Sequence, residues 1–303
     1  MICASIDVGS NTIRLSIYQC ETDGIKLLLN KKTMAGLAGY VEDGALSPKG
    51  IHKACSVLNS YKDIVHNFGI EQLYVFATAS LRNISNSQEA VAQIEEKTGL
   101  VIDVITGEEE ATLDFIGATR LMDVDDGILV DIGGGSTEIV VYEDGKILKA
   151  VSLPVGSLSL FSGYVGGLIP TNEERKEIRR AVIDELDKIE ELRLYDYPVM
   201  CGVGGTIRAA LKINNDKFNL SAGNRTIEAD NIKKILKCLS GSSKETLTKI
   251  LQVIPDRIHT IVPGMILLNT IIKYFGTETI YVSNYGVREG YLSQKILKEC
   301  EAR

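Results

Sequence analysis

The sequence predicts an α/β protein of two related domains, each with a mixed β-sheet flanked by helices, which face each other across a cleft. The first reason is an internal repeat: Ile6–Tyr18 aligns with Val130–Tyr142 without a gap and places Asp7 on Asp131. The second reason is that the segments after each repeat follow the same order, three strands and then alternating helices and strands. Two apolar strands often match by chance, but matched polar residues at the turn favour a duplication.

The first half of the chain gives the order βββαβαβα. Runs of apolar and β-branched residues predict strands at 2–8, 13–20 and 25–33. A helix is predicted from Pro48 to about Phe68, with Ser47 as its capping residue and proline at the tolerated first position. The remaining predicted elements of this half are a strand at 73–77, a helix at 87–98, a strand at 101–105 and a helix from Gly107 to about Met122.

The second half repeats this order. Its predicted strands lie at 128–132, 138–143, 146–152, 198–201 and 279–283. A polar stretch at 214–226 predicts a loop, and three helices between Ala229 and Phe275 are additional to the repeated plan. We therefore predict a first domain over 1–123 and a second over 124–303, with a final helix that packs back on the first.

Composition restricts the class of protein. With 303 residues, 45% hydrophobic and 24% charged, the chain is typical of a soluble protein with two cores. The net charge of −7 argues against nonspecific nucleic-acid binding. Scattered cysteines without a Cys-x-x-Cys pair and histidines without ligand spacing argue against disulfides and zinc. Neither a signal peptide nor an apolar run of about 20 residues is recognised, so we expect a cytoplasmic protein that does not enter a membrane.

A glycine-rich turn separates the first two strands of the second repeat. Three successive glycines allow positive φ angles and leave room for a ligand against backbone N–H groups. Such a nest of donors binds anions, usually phosphate. The predicted phosphate ligands are Gly133, Gly134, Gly135, Ser136 and Thr137. Asp131 before the turn and Glu138 after it could hold a divalent cation beside the phosphate.

The turn of the first repeat carries related groups. Arg14 aligns with Glu138, so one copy is expected to bind phosphate through a guanidinium and the other to handle metal or water. Ser10 and Asn11 supply further phosphate donors. Asp7, at the end of the strand before this turn, is expected to contribute to the metal site, directly or through water.

A strand-to-helix turn in the second half adds candidates for phosphate binding. These are Gly204, Gly205 and Thr206, at the predicted start of a helix, where backbone N–H groups bind phosphate. The segment also continues the repeat, because Thr206-Ile207-Arg208 aligns with Ser80-Leu81-Arg82 at nearly the same offset.

Three acids in succession begin another predicted helix. Carboxylates in a first turn interact favourably with the helix dipole, by about 0.3–1 kcal/mol each. Thr106 and Glu109 have the spacing of a capping box, which gives Glu109 a structural task. Glu108 has the same structural explanation as other first-turn acids, and Glu110 is left without a local role.

Six motifs along the chain together resemble the exopolyphosphatase / guanosine pentaphosphate phosphohydrolase family. They are Ile6–Leu15, Ala77–Asn86, Gly107–Ala111, Asp131–Glu138, Gly202–Thr206 and Ser283–Gly290. The resemblance implies two ribonuclease-H-like domains of the actin, sugar-kinase and Hsp70-like superfamily, with the active site in the cleft between them. The chain is similar to a short form, because it ends at Arg303 without the extra C-terminal domain of longer members.

The resemblance also implies roles for individual residues. It places the catalytic glutamate directly before Ala111, so Glu110 is predicted as the general base, with Glu109 as the alternative. Its motif includes Arg82 as a phosphate ligand, with Asn86 nearby. Glu138 is predicted to act in catalysis as well as in the metal site.

The predicted function is a Mg²⁺-dependent hydrolase that removes a terminal phosphate from inorganic polyphosphate or from guanosine pentaphosphate (pppGpp), as in the stringent response. One alternative is an ATP-dependent kinase or ATPase of the same superfamily, which needs a nucleoside pocket near Gly202–Thr206. The other is a regulator that binds an alarmone without turning it over, in which Glu110 or Glu138 should be missing. We expect a small-molecule substrate, no nucleic-acid or membrane partner, and a possible homodimer.

Overall fold

The computed structural model describes residues 1–21, 24–119, 125–194, 196–239 and 244–301. It contains two compact units, Met1–Glu110 together with Tyr291–Arg303, and Ala111–Gly290. The domain boundary predicted between residues 123 and 124, and the end of the helix predicted to reach Met122, lie outside the described residues. The boundary therefore stays a prediction.

The first unit is built on a five-stranded sheet. Its elements are β1 (Ile2–Val8), β2 (Thr12–Glu21), β3 (Gly24–Met34), β4 (Val41–Glu42), β5 (Ala45–Leu46), α1 (Pro48–Asn67), β6 (Gln72–Ala77), α2 (Ala79–Arg82), α3 (Ser87–Thr98), β7 (Ile102–Val104) and the start of α4 (Gly107–Thr119). The strand order is β3-β2-β1-β6-β7, with β1 antiparallel to β2 and parallel to β6. Ile51, Ala54 and Leu58, spaced to share one helix face, bury α1 in the core of this unit.

The second unit repeats this sheet and extends it. Its elements are β8 (Gly127–Ile132), β9 (Thr137–Glu143), β10 (Lys146–Leu153), α5 (Ser157–Tyr164), α6 (Asn172–Asp187), β11 (Val199–Val203), α7 (Gly204–Lys217), β12 (Thr226–Glu228), α8 (Ala229–Cys238), α9 (Lys244–Val253), α10 (Ile261–Tyr274), β13 (Thr279–Val282) and α11 (Val287–Glu301). The order β10-β9-β8-β11-β13 matches that of the first unit, and β12 is added antiparallel at the edge. The predicted mixed α/β architecture is confirmed.

The two repeated hairpins share one register. Asp7 lies opposite Arg14 in the first, and Asp131 lies opposite Glu138 in the second. The turns close with the same bond, since the Gly9 N–H donates to the Thr12 carbonyl at 3.1 Å and Gly133 donates to Ser136 at 3.0 Å. The gap-free alignment of the sequence is therefore reproduced by the backbone, which supports a duplication.

One helix of the second unit is buried throughout most of its length. Every residue of α10 from Ile261 to Ile272 is buried, as expected of a helix that is apolar on all sides. Gly264 lets it approach α7, because a Cβ there would lie 2.4 Å from the Thr206 Cγ2 atom. The three helices predicted between 229 and 275 are thus present as α8, α9 and α10.

The last part of α11 belongs to the first unit. The ring of Tyr291 packs on Phe76 with centroids 4.5 Å apart, and its hydroxyl donates to Asp103 Oδ2 at 3.0 Å. Lys295 also donates to this carboxylate, at 2.8 Å. None of the helices among the described residues is long and apolar enough to span a membrane.

Ser47 is the N-cap residue of α1 and Pro48 its first residue, as predicted, but the Ser47 side chain makes no capping hydrogen bond and its buried hydroxyl has no partner among the described residues. Both bounds of one predicted loop were wrong. The loop predicted at 214–226 begins later, because α7 continues to Lys217, where the buried Asn214 accepts a hydrogen bond from Asn231 at 3.1 Å. It also ends in a strand, since β12 forms by pairing with β13, a partner that no local pattern reveals.

Candidate active site

Asp131 and Glu138 form a cross-strand pair beside the glycine turn of the second unit. They lie directly opposite each other on β8 and β9, so both side chains project from the same face of the sheet. Glu138 is buried, and its Oε1 accepts a hydrogen bond of 2.7 Å from Ser152 Oγ on the neighbouring strand β10. The sheet therefore fixes one carboxylate firmly next to the other.

Helix α5 holds the glycine turn in place. The N–H groups of Ser157 and Leu158 donate to the carbonyls of Gly133 and Gly134, both at 2.9 Å. Within the described chain, the N–H groups of Gly134 and Gly135 donate no hydrogen bond to the protein. Carbonyls fixed by the protein and free N–H donors are what an anion-binding turn requires.

The role of the glycines differs from the prediction. None of the three has a positive φ. At Gly133 the constraint is space, since a Cβ would lie 3.1 Å from the Ser136 carbonyl oxygen. The hydroxyl of Thr137, predicted as a phosphate ligand, is buried and donates to the Val155 carbonyl at 2.6 Å, while Ser136 is itself 3% exposed. Phosphate binding at this turn would therefore rely on backbone groups.

Three arginines and a second carboxyl group surround Asp131. Arg208, Arg257 and Arg288 all act on its charge, and the carboxyl group of Asp114 is a further neighbour. The loss of water around Asp131 raises its pKa, although the arginines oppose the shift. Burial lowers the pKa of Arg208 for the same reason, and the nearby Asp131 opposes this shift.

These three arginines were not among the predicted site residues. Two of them had a signal in the sequence: Arg208 aligns with Arg82, a predicted phosphate ligand, and Arg288 lies in the motif Ser283–Gly290 that contributes to the family resemblance. Arg257 lies in a segment outside the repeat and outside these motifs.

The start of α7 packs tightly against this cluster. Gly204 has φ +84, and a Cβ there would lie 1.9 Å from Asp131 Oδ1. A Cβ on Gly205 would lie 2.0 Å from Arg257 Nη2. Thr206 is 1% exposed and faces α10. These three residues, predicted to bind phosphate, are covered by side chains of the protein, so their contribution stays a prediction.

The acidic pair fits a magnesium ion. Mg²⁺ is commonly held by one or two carboxylates, with water and substrate phosphates completing its octahedron. Asp131 and Glu138 supply such a pair, and the described parts of the chain contain no group of three or more acidic, histidine or cysteine side chains that could hold a metal. The predicted participation of Asp7 in the metal site stays a prediction.

Glu110 is the buried acid at the start of α4. Its Oε2 lies 2.7 Å from Arg82 Nη1, and the side chains of Arg82 and Glu110 are 17% and 10% exposed. The same Nη1 donates to the Ile105 carbonyl at 3.2 Å. Two residues predicted separately, as base and as phosphate ligand, are therefore joined in one ion pair.

The neighbouring acids have structural positions. The Thr106 N–H donates to Glu109 Oε2 at 2.7 Å, and the Glu109 N–H donates to Thr106 Oγ1 at 3.1 Å. This is the predicted capping box. Glu108 and Glu109 are exposed, whereas Glu110 is 7% exposed. Glu110 is thus the buried acid of the three and the one outside the capping box.

The first turn is anchored by a following segment. The N–H groups of Ala38 and Gly36 donate to the carbonyls of Ser10 and Asn11, at 3.0 and 2.9 Å. Arg14 Nη1 donates to Asn30 Oδ1 at 3.3 Å, so its guanidinium lies over β3. The backbone carbonyl oxygens of the first turn are therefore held by hydrogen bonds, as are those of the glycine turn in the second unit.

Asn86, which the family motif places near the phosphate, has a structural task. Its side chain accepts from the Leu46 N–H at 2.8 Å and donates to the Leu46 carbonyl at 3.1 Å. The Asn86 amide therefore binds the backbone N–H and carbonyl of Leu46 in β5 as a neighbouring strand would.

Comparison with models of protein families shows to which family this chain belongs. The model of the "Ppx/GppA phosphatase family" matches residues 16–299. The chain belongs to the Ppx/GppA phosphatase family. The predicted enzyme class, a hydrolase of phosphoric anhydrides, is confirmed at the level of this family.

Individual Ppx/GppA relatives are distant in sequence and close in fold. The chain is 28% identical to a bifunctional 3-dehydroquinate synthase/phosphatase of Fusobacterium nucleatum, over 92% of the chain and 44% of that longer protein. It is 23% identical to exopolyphosphatase 1 of Mycobacterium tuberculosis, over 98% of the chain and 88% of that protein. The chain thus spans less than half of the first relative and most of the second.

Solved structures support the same fold. A Ppx/GppA family member from Aquifex aeolicus superposes with a TM-score of 0.79 at 29% identity, covering 99% of this chain and 98% of that one. An exopolyphosphatase from Cytophaga hutchinsonii gives a TM-score of 0.86 at 22% identity, covering 97% of both chains.

Proposed function

We propose that this protein removes the terminal phosphate from inorganic polyphosphate, or the 5′ phosphate from pppGpp, with water as the attacking group. The proposal rests on one observation above the others. A buried carboxylate, Glu110, lies 2.7 Å from a guanidinium, Arg82, at the start of a helix. A base and a cation side by side are what attack on a negatively charged phosphate needs.

In this mechanism Glu110 takes a proton from the attacking water. The water oxygen forms a bond to the terminal phosphorus, and the bond from phosphorus to the bridging oxygen breaks. The products are phosphate and a substrate shorter by one phosphate. The ion pair holds the Glu110 carboxylate beside Arg82, and Arg82 offers its remaining N–H donors to the phosphate oxygens.

The two turns would bind phosphate oxygens. In the second unit the donors are the N–H groups of Gly134 and Gly135, which donate no bond within the described protein. In the first unit Ser10, Asn11 and Arg14 play the corresponding part. Asp131 and Glu138 would hold Mg²⁺, with Asp7 as a further contributor. When bound, the ion neutralises phosphate charge and stabilises the leaving oxygen.

The kinase alternative is less well supported. It needs space for a nucleoside beside Gly202–Thr206. There the side chains of Asp131 and Arg257 lie against the backbone of Gly204 and Gly205. The alternative of a regulator without turnover is also less well supported, because Glu110 and Glu138 are both present and each is held by a hydrogen bond.

Steady-state release of phosphate tests the proposal. The protein is incubated with long-chain polyphosphate, pppGpp or ATP, each with Mg²⁺ and with a chelator. We expect metal-dependent release of phosphate from polyphosphate or pppGpp. This release should not depend on added ATP, and ATP should not replace either substrate. Phosphate release from ATP alone would favour the kinase or ATPase alternative, and binding of pppGpp without release from any substrate would favour the regulator.

A further inference from the structure

Asp114 is a buried acid on helix α4 that the proposed reaction does not use. It is 0% exposed and lies in the part of α4 that belongs to the second unit. A carboxyl group is costly to remove from water unless other polar groups compensate for the loss. The position of Asp114 therefore needs an explanation of its own.

Helix α4 covers the face of the second sheet that carries the acidic pair. Successive side chains of a strand point to opposite faces, so Asp131 projects from the same face of β8 as Leu129, and Glu138 from the same face of β9 as Val140. One apolar cluster on this face contains Ala111, Phe115, Ala118, Leu129 and Val140. Asp114 shares the helix face of these α4 residues, because positions three and four apart are neighbours on a helix. It is therefore directed at the part of the sheet from which the acidic pair projects.

The carboxyl group of Asp114 holds the start of α11. Its Oδ1 accepts a hydrogen bond of 2.7 Å from the N–H of Val287, the first residue of that helix. A Cβ on Gly286 would lie 2.8 Å from the same oxygen, so this glycine leaves room for the close approach. The next residue of α11 is Arg288, which acts on the charge of Asp131. Asp114 thus fixes the backbone from which Arg288 reaches Asp131.

Asp114 also lies directly beside Asp131 within the second unit. Two neighbouring carboxylates repel each other, and Arg208, Arg257 and Arg288 offset this repulsion through their positive charges. Water is largely excluded here, since Asp114 is 0% exposed and Arg288 is 9% exposed. Charges interact strongly in such surroundings. A displacement of Asp114 is therefore expected to displace the Asp131 carboxylate as well.

We infer that Asp114 is a positioning residue, which keeps the Asp131 carboxylate in the orientation that binds the metal ion. The inference rests on the proposed function, in which Asp131 and Glu138 hold Mg²⁺. Asp114 acts through Asp131 and Arg288 and touches neither the ion nor the substrate. Groups that orient a metal ligand commonly change metal affinity or activity by about 10–100-fold when they are removed. A role confined to capping α11 would leave metal binding unchanged.

The test compares three variants with the wild type. Asp114→Asn keeps the shape of the side chain and an acceptor for the Val287 N–H but removes the charge, whereas Asp114→Ala removes the acceptor as well. Gly286→Ala leaves Asp114 in the chain and forces its carboxyl group to move, because the added methyl would lie 2.8 Å from Oδ1. The control is Asn214→Ala, which removes another buried side chain with hydrogen bonds, on helix α7 of the same unit.

Binding of Mn²⁺, used in place of Mg²⁺, is measured from the electron paramagnetic resonance signal of the free ion. The measurement is made on the whole protein, with and without inorganic phosphate. Urea unfolding reports stability, and kcat, KM and the Mg²⁺ concentration for half-maximal rate are measured on polyphosphate. Asp131→Ala shows how much of the Mn²⁺ binding belongs to the acidic pair.

Asp114→Ala and Gly286→Ala should bind Mn²⁺ about 10–100-fold more weakly than the wild type. Their Mg²⁺ concentration for half-maximal rate should rise in parallel, and kcat at saturating Mg²⁺ should change less. Asp114→Asn should bind nearly as tightly as the wild type, because the position of the side chain is kept. Asn214→Ala should unfold at a lower urea concentration with unchanged Mn²⁺ binding.

Three outcomes would overturn the inference. Equal Mn²⁺ binding by Asp114→Ala and the wild type would restrict Asp114 to capping α11. Equally weak binding by Asp114→Asn and Asp114→Ala would show that its charge matters and not its position. If Asp114→Ala does not fold, Gly286→Ala decides, and wild-type Mn²⁺ binding by that variant would contradict the inference. A wild type that binds no Mn²⁺, or binds it as tightly after Asp131→Ala, would instead show that the proposed metal site itself has failed.

Discussion

Replacing Glu110 by glutamine separates the chemical role of this residue from its structural role. Glutamine keeps the size of the side chain and can still accept a hydrogen bond from Arg82 Nη1, which now lies 2.7 Å from the carboxylate. It cannot take a proton from water. If Glu110 is the general base, turnover should therefore fall while the ligand still binds.

The expected loss of turnover is much larger, in free energy, than the expected loss of stability. Loss of a positioned base lowers kcat by roughly 10²–10⁴, which is about 3–5 kcal/mol in the activation free energy. A hydrogen bond between charged groups becomes one with a neutral acceptor, which costs about 1 kcal/mol of unfolding free energy. With side chains 17% and 10% exposed, water screens part of this cost. A loss of that size leaves the variant folded at an assay temperature well below its Tm.

The assay uses the neighbouring acids as controls. Glu109→Gln retains the capping box with Thr106, because glutamine also serves at that position, and Glu108→Gln changes an exposed side chain. We measure kcat, KM and Tm for the three variants on polyphosphate and on pppGpp. Glu110→Gln should be slow with KM unchanged or lowered, since a negative charge near the phosphate is gone, and the other two should resemble the wild type.

Two results would refute the reasoning. If Glu109→Gln is inactive and Glu110→Gln is active, the base is the exposed member of the capping box, and burial was the wrong criterion. If all three remain active, the base lies outside this helix, and Glu138 is the next candidate.

Three further perturbations test the second unit. Asp131→Asn and Glu138→Gln should each raise the Mg²⁺ concentration for half-maximal rate at least about tenfold, and an unchanged Mg²⁺ titration would remove that residue from the metal site. Gly204→Ala should lower the unfolding free energy by about 2 kcal/mol or more, because its φ of +84 is strained for alanine and its Cβ would meet Asp131. Urea unfolding measures this loss, and Gly163→Ala, with no atom within 4 Å of the added Cβ, is the control. Equal stability of Gly204→Ala and the wild type would show that Asp131 moves aside. Two backbone N–H groups hold the pKa of Glu174 below its ordinary value. The stabilisation by the Glu174 carboxylate is therefore present above the unfolded-state pKa of about 4.3 and is lost as pH falls through the lowered pKa. Glu174→Ala should melt about 1–2 °C lower than the wild type near pH 7, and this difference should shrink as the pH is lowered into the acid range. A pH-independent difference would assign the effect to lost packing.

Much of the fold could be predicted because its signals are local. Strand and helix periodicity, the gap-free repeat and the capping box of Thr106 and Glu109 each lie within a few residues of one another. The elements that were missed or misplaced lack such a signal. The short β12 exists only through its pairing with β13, and the polar end of α7 is helical because Asn214 is hydrogen-bonded to Asn231.

The sequence by itself determined the two duplicated hairpins, the opposed residues beside their turns and Glu110 as the acid without a local task. Only the tertiary structure decided what surrounds these groups. Arg82 meets Glu110, and Arg208 and Arg257 come to Asp131, from distant parts of the chain. The physical reason is that hydrogen-bonded strands and a shared apolar core bring such segments together, and that the exclusion of water there makes their charges interact strongly. No spacing along the chain records either effect.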